Sequence, residues 1–145
     1  MRGLHADTGY LLYRLGLRSG SLFNSGLERH GLRLRHYAIL RHLATVEGAR
    51  QRELSERLGY DPSAIVSLVD DLQRLDLAER RPDPHDRRNR IVVLTDAGRA
   101  LLRDSDKDGP RVTECLLAPL GSEERATLHA LLLRIAEPCA GDRRP

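Results

Sequence analysis

The sequence predicts a mostly α-helical fold with one small β wing, the outline of a winged helix-turn-helix. Three observations lead there. Between Gln51 and Leu72, QRELSERLGYDPSAIVSLVDDL, two short helical patterns meet at a glycine turn. Directly downstream, Leu77 to Arg81 and Arg90 to Leu94 read as two short strands around a turn-rich loop, PDPHDRRN. On both sides of this unit, longer stretches repeat apolar residues at helical spacing.

The 145 residues suit a single domain with its own core. With four Tyr, one Phe and no Trp, that core must be built from Leu, Val, Ile and Ala. Charged residues make up 31%, above the usual share of about 25%, as expected for much solvated helix surface. The net charge of +3 is modest, so its distribution carries more information than its size. Lys107 is the single lysine, and a GC-rich genome alone would favour arginine this way. No apolar run reaches the roughly 18 residues of a membrane span, and MRGLHADTG lacks the apolar core of a secretion signal. Cys115 and Cys139 show neither metal-type spacing nor a disulfide framework. A cytoplasmic chain without cofactor or metal is expected.

A first helix is expected from Thr8 to Leu27, with Leu11, Leu12, Leu15, Leu22 and Phe23 along one stripe. Gly16, Gly20 and Gly26 lower its propensity by about 0.5–1 kcal/mol each, so it needs a packing partner. A second helix is expected from Arg33 to Thr45, carrying Leu34, Tyr37, Ala38, Leu40 and Leu43 and ending at Glu47-Gly48. In the helix pair, Leu54 and Leu58 share a face, Gly59 supplies the turn, Asp61 the N-cap and Pro62 the first helical position. Ile65, Val69 and Leu72 form the buried stripe of its second helix, opposite the small residues Ser63, Ala64 and Ser67. After the hairpin, Thr95 caps a long helix that is interrupted at Asp108-Gly109-Pro110. A segment from Val112 to Ala118 follows. A last helix begins at Gly121-Ser122-Glu123-Glu124, with Ser122 as cap and Leu128, Leu131, Leu132 and Ile135 as its stripe.

The helix pair and hairpin carry the chemistry. A capped helix led by small polar residues can enter the DNA major groove, so Ser63, Ala64 and Ser67 are expected at base edges and Pro62 near phosphate. From Arg80 to Arg90, five arginines face two aspartates, so eleven residues carry as much net charge as the whole chain. Arginines at a loop tip suit the negative potential of the minor groove. Arg87, Arg88 and Arg90 are the candidates, with Arg87 or Arg88 at the tip. Asp83 and Asp86 read as props that fix the loop by holding arginine. Gln51 and Arg52, opening the first helix of the pair, are candidate phosphate contacts.

With these parts in place, the sequence resembles the MarR family of bacterial transcription regulators over nearly its whole length. ELSERLGYDPSAIVSLVDDLQRLDL resembles the family's recognition helix. DPHDRRNRIVVLTDAG resembles its wing, with Asp83, Asp86 and Arg88 in the Asp-x-x-Asp-x-Arg pattern. The resemblance implies one domain over 1–145: dimerisation helices at 1–30 and 98–138, a winged DNA-binding part at 31–97, and a flexible tail at 139–145. It further implies a homodimer on a pseudo-palindromic operator, repression as the usual outcome, and a small ligand that weakens DNA binding. The chain departs from the family at Leu68 and Asp71, where members often carry basic residues, and at the Gly109-Pro110 interruption.

For a ligand, Arg14 and Arg18 on the first helix could pair with the carboxylate of an aromatic or organic acid, with Tyr10, Tyr13 and His36 completing the pocket. His30, His36 and His42 are six apart and share no helical face, so no metal site is expected. Cys115 lies in the apolar run CLLAPL, where a buried inert thiol is the ordinary reading. The alternatives are a winged-helix protein-interaction module and a redox-responsive regulator acting through Cys115 and Cys139. No nucleophile elbow, phosphate loop or paired metal ligands point to an enzyme.

Overall fold

The computed structural model describes residues 7–105 and 108–136. Its elements in chain order are α1 (Thr8–Leu27), α2 (Leu34–Leu43), α3 (Gln51–Leu58), α4 (Pro62–Arg74), β1 (Ala78–Pro82), β2 (Arg90–Leu94), α5 (Asp96–Ser105), α6 (Asp108–Leu117) and α7 (Ser122–Ala136). A 3₁₀ turn, Glu28–His30, links α1 to α2 and closes on Gly31 at φ 68°. No helix among the described residues is long and apolar enough to cross a membrane.

Local chemistry explains the boundaries. Asp7 starts α1 by accepting the Tyr10 N–H at 2.8 Å, satisfying one orphan donor. Asn24 accepts the Leu34 N–H at 2.7 Å and so fastens the start of α2 to α1. Gly59 closes α3 at φ 67°, and its N–H donates to the Ser55 carbonyl at 2.9 Å. Asp61 then caps α4, accepting the Ser63 N–H at 2.8 Å with Pro62 at the first turn. Asp76 at φ 57° makes the tight exit from α4 toward the sheet.

The core lies inside the winged part. Ile65, Val69 and Leu72 of α4 are 0% exposed and meet Leu27, Leu32, Ile39, Leu40, Leu43, Leu54 and Val92. Ile39 is fully buried although the α2 stripe read from the sequence omits it. The two strands pair antiparallel from Ala78↔Leu94 to Pro82↔Arg90. β1 begins one residue later than expected. A further pairing, Ala49↔Val92, has bonds of 3.0 and 2.8 Å and stitches the turn before α3 onto β2. A single bridging residue leaves no strand pattern in sequence.

Two expectations are corrected near the C-terminal side. The break expected at Asp108-Gly109-Pro110 comes earlier: α5 ends at Ser105, and Asp108, Gly109 and Pro110 open α6. Proline fits there because first-turn N–H groups have no intrahelical acceptor. Asp106 and Lys107, between α5 and α6, lie outside the described residues. Ser122 is also not the cap: it is already helical, and Glu124 Oε2 reaches back to the Gly121 N–H at 2.8 Å. Arg125 clamps Glu114 with two bonds of 2.7 and 3.0 Å and joins α7 to α6.

Outside the winged part the apolar stripes are open. Leu11, Leu12, Leu15 and Leu17 on α1, with Leu131, Leu132, Leu133 and Ile135 on α7, are all exposed, Ile135 at 62%. α7 has no buried residue. Pro138, Cys139 and the rest of the tail lie outside the described residues.

Candidate nucleic-acid interface

The recognition unit is built from α3, α4 and the wing, and a polar network sets their relative positions. Arg80 on β1 is its hub. Its Nε donates to Gln51 Oε1 at 2.8 Å, a second nitrogen lies 2.7 Å from Asp70, and it also bonds Gln73. One guanidinium thus ties the start of α3 and the outer face of α4 to the sheet. Gln51, a candidate phosphate contact, spends its side-chain oxygen on this hub. Arg52 pairs with Glu56 at 2.9 Å on an exposed face.

Asp83 is buried at the base of the wing loop, 5% exposed. Its Oδ2 accepts two bonds from Arg50, at 3.0 and 2.6 Å, and its Oδ1 accepts the His85 N–H at 2.9 Å. Those bonds, Arg50 foremost, hold the Asp83 carboxyl below the usual carboxylate range. Asp83 thus holds an arginine, and that arginine is Arg50 from the turn before α3, not one of the wing. Asp86 accepts the Arg88 N–H at 3.2 Å and the Asn89 side-chain amide at 2.7 Å. The loop is closed on itself by carboxylates, which leaves its cations outward. Arg87, Arg88 and Arg90 are exposed, and none has a carboxylate within ion-pair distance among the described residues.

On α4, Pro62, Ser63 and Ser67 are exposed and Ala64 is half-buried. The Ser63 hydroxyl donates to Asp61 at 2.6 Å, and this bond with the backbone one lowers the Asp61 pKa. Leu68 packs against the core and Asp71 is half-buried, so the two positions that depart from the family pattern are not fully outward. Asp71 Oδ2 lies 3.2 Å from His36 Nε2, and Arg74 holds its other oxygen. These neighbours, His36 first, depress the Asp71 pKa. His36 Nδ1 accepts the Arg33 N–H at 3.0 Å, which assigns the ring hydrogen to Nε2. Arg50 was missed in the sequence because Asp83 is 33 residues away in the chain, and Arg80 because its partners sit on two other elements, α3 and α4.

An open cavity of about 880 Å³ lies between α1, the start of α2 and α4. Asn24, Arg33, His36, Ala64, Ser67 and Leu68 are among its lining. His36 is therefore in a cavity, but Tyr10, Tyr13, Arg14 and Arg18 are not part of that lining. Arg14 is exposed, with its guanidinium 6.0 Å from the Tyr10 ring centroid. At about 1.5 Å per residue, Arg14 sits roughly 15 Å along α1 from Asn24. Cys115 is likewise exposed, against the expectation of burial. It lines a cleft of about 330 Å³ between α1 and α6. No cluster of three or more His, Cys, Asp or Glu is placed to hold a metal among the described residues.

Known proteins give this geometry a family. A profile of the MarR family matches residues 30–89, the helix pair and most of the wing. The crystal structure of CouR from Rhodococcus jostii RHA1 bound to p-coumaroyl-CoA is 33% identical, with TM-score 0.84 over 96% of this chain and 98% of that one. A MarR-family transcriptional regulator from Rhodococcus sp. RHA1 is 31% identical, with TM-score 0.86 over 96% of this chain and all (100%) of the other. The transcriptional repressor NicR of Pseudomonas putida is 28% identical over 131 residues, 90% of this chain and 83% of the relative. With 31% identity to a MarR-family regulator across nearly the whole of both chains, and the profile match within it, the chain belongs to the MarR family of winged-helix transcription regulators, which are not enzymes.

Proposed function

We propose that this protein is a transcription repressor that binds a pseudo-palindromic operator as a homodimer and leaves it when a small aromatic or organic acid binds. The observation that carries the DNA reading is charge disposition at the wing. Carboxylates are spent inside the loop and on Arg50, while Arg87, Arg88 and Arg90 stand unpaired and outward among the described residues. Cations presented this way suit a minor groove, and Ser63, Ala64 and Ser67 suit base edges alongside it. The name of NicR supports repression. Open apolar stripes on α1 and α7 support dimerisation through residues 1–30 and 98–138.

The ligand reading centres on the 880 Å³ cavity, where Arg33 could meet a carboxylate or acyl group and Leu68 an aromatic ring. Its support is the complex of CouR with p-coumaroyl-CoA. Ala64 and Ser67 belong both to this lining and to the face assigned to bases, so occupancy bears directly on the recognition helix. Tyr10, Tyr13, Arg14 and Arg18 do not line this cavity, so the reading rests on Arg33 and Leu68 instead. Gel retardation of the gene's own upstream DNA tests the proposal: retardation is expected, with release by aromatic carboxylates or their thioesters. Absence of retardation at low salt would end the DNA reading. A second reading, control by oxidation, is favoured by the exposure of Cys115. It requires peroxide to release native protein from DNA and to spare Cys115→Ser.

A further inference from the structure

Several arginines of the winged part are neutralised by carboxylates: Arg50 by Asp83, Arg52 by Glu56, Arg74 by Asp71, Arg80 by Asp70 and Arg81 by Glu79. Arg35, on the first turn of α2, has no carboxylate within ion-pair distance among the described residues. It is exposed, yet it is not loose: its guanidinium lies 5.4 Å from the Tyr60 ring centroid. Tyr60 is half-buried against the core, its carbonyl accepts the Ser55 hydroxyl at 2.7 Å, and the next residue is Asp61, the cap of α4. The ring is thus a fixed seat at the entrance of the recognition helix. Arg35 also borders the cavity that Ala64 and Ser67 line, so it shares a rim with the face assigned to bases.

A guanidinium stacked on an aromatic face keeps its in-plane N–H donors free, in the fork that matches phosphate. Seating it beforehand reduces the side-chain ordering that binding would otherwise require. We propose that Arg35, seated on Tyr60, binds a backbone phosphate beside the recognition helix, a contact separate from the wing. The role rests on the DNA-binding reading above and adds to it a positioning contact on the α2 side.

The test measures affinity across a salt series on two duplexes, one of mixed sequence and one from the gene's upstream region. Native protein, Arg35→Ala, Tyr60→Leu, their double variant and Arg88→Ala are compared. Arg35→Ala should weaken both duplexes by the same factor and make the salt slope shallower by about 0.9 for each phosphate no longer neutralised. Tyr60→Leu should weaken both by less, and combining it with Arg35→Ala should add nothing to Arg35→Ala alone, because the ring acts only through the cation. Thermal midpoints confirm that each variant is folded. Native affinity and slope in Arg35→Ala, with Arg88→Ala altered, would overturn the Arg35 role and leave DNA binding standing. If native protein binds neither duplex, the DNA reading itself falls and takes this one with it.

Discussion

At the scale of single residues, the wing depends on a carboxylate that is buried and charged. The two bonds from Arg50 and the His85 N–H favour the ionised form of Asp83, so its folded pKa lies below its unfolded value of about 3.9. A depressed carboxylate pKa stabilises the fold fully above the unfolded value, and that contribution is lost as pH falls through the folded one. Asp83→Asn should therefore melt below the native protein at neutral pH, and the gap should close in acid below pH ~4. Thermal melts across that range check it; a gap independent of pH would remove the ionic explanation. Gly98 makes a second prediction. A Cβ there would lie 2.1 Å from the Leu77 carbonyl oxygen and 2.8 Å from Leu94 Cδ1, so α5 can approach the residue before β1 and the end of β2 only without a side chain. Gly98→Ala should cost about 1–3 kcal/mol in urea unfolding, as overpacking against backbone does.

At the scale of elements, the helix pair was legible because caps and turns are local. Gly59, Asp61 and Pro62 each act within a few residues, and Ile65, Val69 and Leu72 recur at helical spacing. How the elements are held together was not legible. Arg80 on β1 joins Gln51 of α3 to Asp70 and Gln73 of α4, and no local periodicity or cap pairs a strand residue with two separate helices. Arg80→Met should loosen the angle between wing and recognition helix. Duplex affinity is then expected to fall while the salt slope stays native, since no phosphate contact is removed. A slope that drops with affinity would instead make Arg80 a DNA contact.

For the molecule as a whole, the decisive feature is the apolar surface left open on α1 and α7. Leu131, Leu132, Leu133 and Ile135 lie on a helix with no buried residue, which suits a surface that a second copy covers. Leu133→Glu with Ile135→Glu should give a monomer by light scattering. Its winged core lies elsewhere in the fold, so near-native far-ultraviolet circular dichroism is expected. DNA affinity should fall steeply, because two half-sites are then no longer gripped together. A folded double variant that stays dimeric would move the interface off α7.

Element order, the capped recognition helix, the hairpin and the arginine-rich loop were readable along the chain, because each is written in contacts a few residues long or in a simple periodicity. Which arginines are spent and which stay free emerged only on folding. Folding gave Arg50 to Asp83 and Arg80 to Asp70, left Arg87, Arg88 and Arg90 outward, seated Arg35 on Tyr60, and parted His36 from the Arg14 group. An arginine's charge is known from its letter, but its availability depends on the carboxylates and rings that distant parts of the chain bring beside it.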